Sequence, residues 1–82
     1  MSQNIINAID LLGEIEQDST VPKNIRARIK SAMDVLEEKE SDAAVKTDKA
    51  LEELDIISED SNMPMYTRTQ IYQIVSLLES SE

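Results

Sequence analysis

The sequence predicts an all-α protein, and three observations carry that prediction. Apolar residues recur at the three- and four-residue spacing of amphipathic helices along most of the chain. The chain has only one Gly and two Pro, so it offers few of the sharp turns that a small sandwich or barrel needs. It also repeats itself, because Asp18-Ser-Thr-Val-Pro-Lys-Asn-Ile-Arg26 returns 42 residues later as Asp60-Ser-Asn-Met-Pro-Met-Tyr-Thr-Arg68.

The first half of the chain predicts a helical hairpin over about residues 2–39, called hairpin 1 below. A helix over residues 2–17 has its apolar residues on one face: Ile5, Ala8, Ile9, Leu12 and Ile15. An Asp-Ser-Thr loop then breaks the period. Thr20 is a suitable N-cap for the next helix, and Pro22 is tolerated at its start. That helix runs to about Lys39, and its inner residues are Ile25, Ile29, Ala32, Met33 and Leu36.

The second half predicts hairpin 2, over about residues 41–79. Ser41 is a candidate cap for its first helix, and Asp42 suits the positive end of that helix. The inner face of this helix consists of Ala43, Thr47, Ala50, Leu51, Leu54 and Ile57. A fourth helix begins near Pro64 and buries Ile71, Ile74, Val75 and Leu78.

Two similar hairpins predict an up-and-down antiparallel four-helix bundle within one domain, residues 1–82. A period of 42 residues also resembles HEAT-type repeats, so an open HEAT-like pair of hairpins is the alternative. The two differ in burial: a bundle joins all four apolar faces in one core, whereas an open pair leaves one face to solvent or to another subunit.

Composition excludes several classes of site. The chain contains no Cys and no His, so disulfides, thiol chemistry and zinc sites with nitrogen or sulfur ligands are excluded. No apolar run approaches the length that crosses a membrane. The net charge of −9 disfavours generic binding to nucleic acid. We therefore expect a cytoplasmic protein with no cofactor and no membrane contact.

The repeated loops also carry a resemblance. Asp18-x-x-Val21-Pro22-Lys23-Asn24-Ile25-Arg26, together with Asp60-x-Asn62-Met63-Pro64 and Arg68-Thr69, resembles the uncharacterised archaeal protein family 0147 over nearly the whole chain. The sequence departs from that pattern at Ser61, where the family is expected to show Pro, and at Tyr72, where a Trp is expected. The resemblance implies a compact helical bundle and no known activity.

The repeated turn residues Asp18, Pro22, Arg26, Asp60, Pro64 and Arg68 have two interpretations. The aspartates and arginines could converge on a ligand. Alternatively, each Asp satisfies N–H groups of its loop and each Arg pairs with that Asp. We favour the structural interpretation, because a single active site has no need of duplicated residues.

The basic run Lys23-Asn-Ile-Arg26-Ala-Arg28-Ile-Lys30 is the one cluster of cations in the sequence. It could contact RNA or a ribonucleoprotein. It could equally be neutralised within the protein, since Lys30 can meet Asp34 one helical turn later and an acidic stretch follows. We therefore favour internal neutralisation and keep an RNA or ribonucleoprotein contact through residues 23–30 as the alternative.

Catalytic chemistry finds little support in the sequence. The acids Glu52, Glu53, Asp55, Glu59 and Asp60 fit no calcium loop, and no serine has a His base or a Gly-rich phosphate cradle. We predict that these acids form solvated helix faces and that the protein is not an enzyme.

Apolar residues outside the inner faces suggest an interaction surface. They are Ile6, Val45, Ile56, Met65, Tyr72 and Leu77. A small core without Phe, Trp, disulfide or metal has limited stability, and association is one remedy. The biochemical function stays unknown from sequence, and a non-catalytic interaction or assembly module with a homodimer or protein partner is our first hypothesis. Its candidate contact residues are Lys23, Arg28, Lys30, Tyr72 and Leu77.

Overall fold

The structure is a computed structural model that describes residues 2–80 and contains four helices there. They are α1 (Gln3–Glu16), α2 (Lys23–Glu37), α3 (Ala43–Ser58) and α4 (Met65–Glu79). No strand occurs between residues 2 and 80. The prediction of an all-α protein is confirmed, and α2 ends two residues before the predicted Lys39.

The helices pack in a ring around one core. α1 contacts α2 and α4, and α3 contacts the same two helices. The molecule measures 32 × 20 × 19 Å. The inner face of every helix supplies buried residues to this core, whereas an open pair of hairpins requires one face to be exposed. Five predicted inner residues are only partly buried, because they pack at the edge of the core: Ile9, Met33, Ala43, Leu51 and Val75. The contact pattern therefore fits the up-and-down bundle.

Hairpin 2 reproduces hairpin 1 at an offset of 42 residues. α4 begins and ends 42 residues after α2, and α3 ends 42 residues after α1. Every buried residue of hairpin 1 has a buried counterpart in hairpin 2: Ile5–Thr47, Ala8–Ala50, Leu12–Leu54, Ile15–Ile57, Val21–Met63, Ile25–Thr67, Ile29–Ile71, Ala32–Ile74 and Leu36–Leu78. Features that both hairpins share are therefore attributed to the fold. A feature that occurs only in hairpin 2 is identified by comparing each of its residues with the equivalent residue of hairpin 1.

The helix starts correct two capping predictions. Thr20 does not cap α2, because Pro22 occupies the N-cap position and its carbonyl accepts from the Ile25 and Arg26 N–H groups. Pro64 holds the same position before α4. Ser41 does not cap α3 either, since its hydroxyl donates to Glu38 Oε1 at 3.0 Å.

Asp42 is the cap of α3. Its carboxylate accepts a hydrogen bond of 3.2 Å from the Ala44 N–H. An acid at this position also suits the positive end of the helix dipole. Carboxylate capping thus replaces the predicted hydroxyl.

Two pseudo-equivalent side chains connect the hairpins. Lys46 Nζ donates to the backbone carbonyl of Glu38, at the C-terminus of α2, over 3.1 Å. Asn4, 42 residues earlier, donates from Nδ2 to the Leu77 carbonyl near the end of α4 over 3.2 Å. Lys46 is buried, with 7% of its surface exposed. Both contacts satisfy carbonyls that a helix end leaves without an internal partner.

Candidate functional site

The repeated Asp residues form turns within their own loops. Asp18 Oδ1 accepts from the Thr20 N–H at 2.9 Å and from the Thr20 hydroxyl at 2.6 Å. Asp60 Oδ1 accepts from the Asn62 N–H at 2.9 Å. In both loops the Asp carbonyl also accepts from the N–H three residues on, Val21 or Met63. These contacts are what a structural role predicts.

Asp18 is more acidic than an ordinary carboxyl group. The hydrogen bond from the Thr20 hydroxyl lowers the pKa of Asp18 below 3.8, and the Thr20 N–H adds to that effect. Both donors stabilise the carboxylate relative to the protonated acid. The lowered pKa follows from the turn itself, so it marks no catalytic group.

The repeated Arg residues bind loop carbonyls. Arg26 Nε donates to the Val21 carbonyl at 3.0 Å. Arg68 donates from Nη2 to the Asp60 carbonyl at 3.0 Å and from Nη1 to the Ser58 carbonyl. Within residues 2–80 neither Arg forms an ion pair with the carboxylate of its loop. The prediction that each Arg pairs with the Asp side chain is therefore wrong, because the guanidinium groups bind backbone carbonyls instead. The four residues do not converge on a ligand site; each pair closes its own turn.

The basic run is largely engaged in contacts of its own. Arg28 Nη1 lies 3.8 Å from Glu53 Oε1 of α3, and Lys30 Nζ donates to Asp34 Oδ1 at 3.0 Å. The pKa of Lys30 is raised, chiefly by that hydrogen bond. Lys23, the first residue of α2, is exposed. The internal neutralisation predicted for Lys30 is therefore present, and an RNA contact stays a prediction.

Exposed apolar side chains are concentrated on hairpin 2. Val45, Ile56, Met65, Tyr66 and Tyr72 are exposed there, whereas Ile6 is the one large exposed apolar residue in the described part of hairpin 1. Tyr66, 72% exposed, was absent from the sequence-based set, while Leu77 of that set is half-buried.

The counterparts in hairpin 1 show that this exposure is not a requirement of the fold. At the positions equivalent to the five exposed residues of hairpin 2, the first hairpin carries polar or charged side chains. They are Gln3, Glu14, Lys23, Asn24 and Lys30, in the order Val45, Ile56, Met65, Tyr66, Tyr72. The same backbone positions thus accept polar residues, and hairpin 2 exposes apolar ones.

A groove runs between α3 and α4. It consists of two recesses of about 330 and 390 Å³ that share Leu51 and Glu79. The first is lined by Leu51, Glu52, Leu54, Asp55, Ser58, Tyr72, Val75 and Glu79. The second continues toward the start of α3 and is lined by Ala43, Ala44, Thr47, Asp48, Leu51, Leu78 and Glu79. We call the two together the α3–α4 groove.

Two sequence differences between the hairpins lie at this groove. In hairpin 1, Met33 of α2 lies over Gly13 of α1, and a Cβ added at Gly13 would meet Met33 Cε at 3.7 Å. The equivalent pair in hairpin 2 is Val75 and Asp55. Val75 has a shorter side chain than Met33, Asp55 carries a carboxylate where hairpin 1 has Gly13, and both residues line the first recess.

The rim of the α3–α4 groove is acidic. Asp48, Glu52, Asp55 and Glu79 line it, and no Lys or Arg does so. Among the described residues, none of these four carboxylates forms an ion pair. No three His, Cys, Asp or Glu side chains between residues 2 and 80 are placed to hold a metal ion. The groove therefore combines an apolar floor with uncompensated negative charge.

The five predicted contact residues lie at three separate places. Lys23, Arg28 and Lys30 are on α2. Tyr72 lines the α3–α4 groove, whereas Leu77 lines a shallow recess with Asn4 and Gln73 beside α1. The structure does not bring these residues together into one surface.

Sequence reasoning missed the groove and the burial of Lys46. The substitution of Val75 for Met33 at the repeat position was the available signal for the groove. For Lys46 the signal was weaker, since its position lies beside the predicted inner residue Thr47. No helix of the described residues is long and apolar enough to cross a membrane.

The family model and the similar proteins described here all point to the same protein family. The model of the uncharacterised protein family UPF0147 matches residues 1–81. UPF0147 protein TK2131 of Thermococcus kodakarensis is 42% identical over 80 residues, which are 96% of each chain. UPF0147 protein MJ1419 of Methanocaldococcus jannaschii is 46% identical over 69 residues, which are 84% of this chain and 74% of that protein.

A solved structure is also similar. The crystal structure of the unknown function protein MMP1188 superimposes with a TM-score of 0.92 at 46% identity, and the match covers 96% of this chain and 90% of that one. This likeness supports the four-helix architecture and brings no activity with it. The sequence matches confirm the resemblance seen in the repeated loops, and the chain belongs to the uncharacterised protein family UPF0147.

Proposed function

We propose that this protein is a non-catalytic interaction module that binds another protein chain through the surface of hairpin 2. The observation that carries the proposal is the set of apolar side chains that hairpin 2 exposes where hairpin 1 has polar ones, above all Met65, Tyr66 and Tyr72. Apolar side chains concentrated on one part of an exposed surface are a mark of protein contact sites. Tyrosine is also enriched at the centres of such contacts.

Two further features support a surface role over a catalytic one. The perturbed carboxyl group Asp18 is accounted for by its own turn. The repeated Arg26 and Arg68 are occupied by loop carbonyls. The proposal includes a cytoplasmic location. The partner is either a second copy of this chain or a different protein.

The test is capture of the protein with its complexes from an extract of its own cells, with and without nuclease. The variant Met65→Lys, Tyr66→Asn, Tyr72→Lys places the residues of hairpin 1 at the equivalent positions of hairpin 2. We expect a partner that survives nuclease and is lost with this variant. Light scattering on the purified protein shows whether that partner is a second copy.

The control variant Lys23→Glu, Arg28→Glu, Lys30→Glu alters the basic run. It should retain the partner if hairpin 2 is the contact surface. A partner that disappears with nuclease and with the control variant would overturn the proposal and favour an RNA contact through α2.

A further inference from the structure

We infer that the α3–α4 groove binds a cationic amphipathic helix of a partner protein, lying along the groove with its apolar residues inward. This inference deepens the proposed function, on which it rests, by naming the class of partner and the place where it docks. It stands on three properties of the groove: its shape, its charge and its place between the less closely packed of two equivalent helix pairs.

The shape fits a helix. Lining residues extend along α3 from Ala43 to Ser58, a length of about 24 Å at 1.5 Å per residue. The floor is formed by partly exposed apolar side chains, including Leu51 and Val75. An elongated apolar groove between two helices accepts a third helix, whose anchors at positions i, i+3 or i+4, and i+7 enter it.

The charge specifies a cationic partner. Glu52, Asp55 and Glu79 line the same recess as the apolar floor, and its described lining residues include no Lys or Arg. A partner helix with Lys or Arg flanking its apolar stripe would pair with these carboxylates, while an acidic helix or a nucleic acid would be repelled. The carboxylates are not gathered to hold a metal ion, so an extended cationic surface matches them better than a single ion does.

A second copy of this chain is a poorer occupant. Its basic run lies on α2, but the large apolar residues of that helix, Ile25, Ile29 and Leu36, are buried in its own core. α2 therefore cannot present an apolar stripe and cations together without unfolding. The partner helix belongs to a different protein.

The groove is a specific feature of hairpin 2. At the equivalent place in hairpin 1, Met33 lies over Gly13, whereas Val75 and Asp55 line the groove in hairpin 2. Lys30 stands at the position of Tyr72, which reduces the negative charge there. α3 and α4 approach each other less closely than the equivalent pair α1 and α2, so the groove does not follow from the shared architecture alone.

The test uses a labelled 15-residue peptide with leucine along one helical face and lysine at all other positions. Its binding to the whole protein is measured by fluorescence anisotropy at about 0.15 M salt, where long-range attraction to an acidic protein is screened. A peptide of the same composition with the leucines distributed around the helix is the peptide control. We expect the amphipathic peptide to bind more tightly than the scrambled one. Amide chemical shifts should change along α3 and α4.

Matched variants separate the groove from general acidity. Glu52→Gln with Glu79→Gln should weaken binding about fivefold or more, as expected for the loss of two surface ion pairs. Their hairpin 1 counterparts, Asp10→Asn with Glu37→Gln, remove the same charge elsewhere and should leave affinity within about twofold. Val75→Met, which gives hairpin 2 the side chain of Met33, should also weaken binding by filling the groove.

Equal weakening by the two neutralised pairs, or equal binding of the two peptides, would overturn the inference, since attraction would then be non-specific. A dimer that Val75→Met dissociates would also overturn it and assign the groove to a second copy. If the peptide does not bind but partner capture still depends on Met65, Tyr66 and Tyr72, this inference fails while the proposed function stands. If the hairpin 2 variant captures the same partners as the wild type, the proposed function itself is overturned.

Discussion

Arg68, in the first turn of α4, donates from Nη2 to the backbone carbonyl of Asp60 at 3.0 Å, and so closes the loop that leads into its own helix. A second donor of the same guanidinium binds the Ser58 carbonyl at the end of α3. Arg26, its counterpart 42 residues earlier, makes one such contact, from Nε to the Val21 carbonyl. Both arginines therefore close the loop before their helix, but Arg68 binds two carbonyls and Arg26 binds one.

This difference predicts unequal costs of removing the two arginines. Arg68→Met should lower the free energy of unfolding by about 1–2 kcal/mol, because it removes the charged donors. Met is the chosen replacement since it retains the apolar stem of the side chain. Arg26→Met should lower it by a smaller amount, about 0.5–1 kcal/mol, because it removes a single donor. Urea unfolding followed by circular dichroism measures both. Equal losses, or a larger loss at Arg26, would contradict the assigned geometry.

The buried Lys46 should stabilise the contact between the two hairpins. Lys46→Ala removes the hydrogen bond to the Glu38 carbonyl and the packing of a buried stem, and should lower the free energy of unfolding by about 1–2 kcal/mol. The exposed Lys49 on the same helix provides the matched control, and Lys49→Ala should change stability by less than about 0.5 kcal/mol. Thermal and urea unfolding of the two variants compare them directly. Equal effects would mean that the burial of Lys46 contributes nothing.

Gly13 predicts a stabilising substitution. Gly13→Ala should raise the free energy of unfolding by about 0.5–1 kcal/mol, because alanine restricts the unfolded chain and favours the helix interior. The added Cβ finds room, since its nearest neighbour is the flexible end of Met33 at 3.7 Å, an ordinary van der Waals distance. The midpoint of urea unfolding measures the gain. A decrease would show that Met33 cannot adjust to the new methyl group.

The Asp18 turn predicts a dependence on acid. Because folding lowers the pKa of Asp18 below 3.8, its carboxylate contributes stability above that pH, and the contribution disappears as the pH falls through the folded pKa. Titration of the carboxyl carbon by NMR should give a value below 3.8. Thr20→Val should raise it, since the hydroxyl hydrogen bond is the largest cause of the lowering, while the Thr20 N–H bond should keep it depressed.

A stability comparison checks the same linkage. The difference in unfolding free energy between wild type and Asp18→Asn should shrink as the pH drops below about 4. A difference that stays constant down to pH 2 would show that Asp18 titrates alike in the folded and unfolded chains.

The sequence by itself determined the four helices, most of the inner residues and the repeat. Periodic apolar residues, two Asp-Ser loops and two prolines are local signals, and each acts within a few residues along the chain. The offset of 42 residues, read from the loops, relates both ends of α2 and α4, the C-terminal ends of α1 and α3, and every buried position of hairpin 1. Even the asymmetry between Met33 and Val75 is visible in the sequence once the offset is known.

The tertiary structure alone decided which residues can act together. It places Tyr72 and Leu77 in different recesses, buries Lys46 against the end of α2, and directs Arg26 and Arg68 to carbonyls instead of carboxylates. The α3–α4 groove likewise depends on how closely two helices approach and on which side chain fills the space between them. These outcomes follow from distances between segments that are far apart in the chain, and a local pattern of residue types carries no information about such distances.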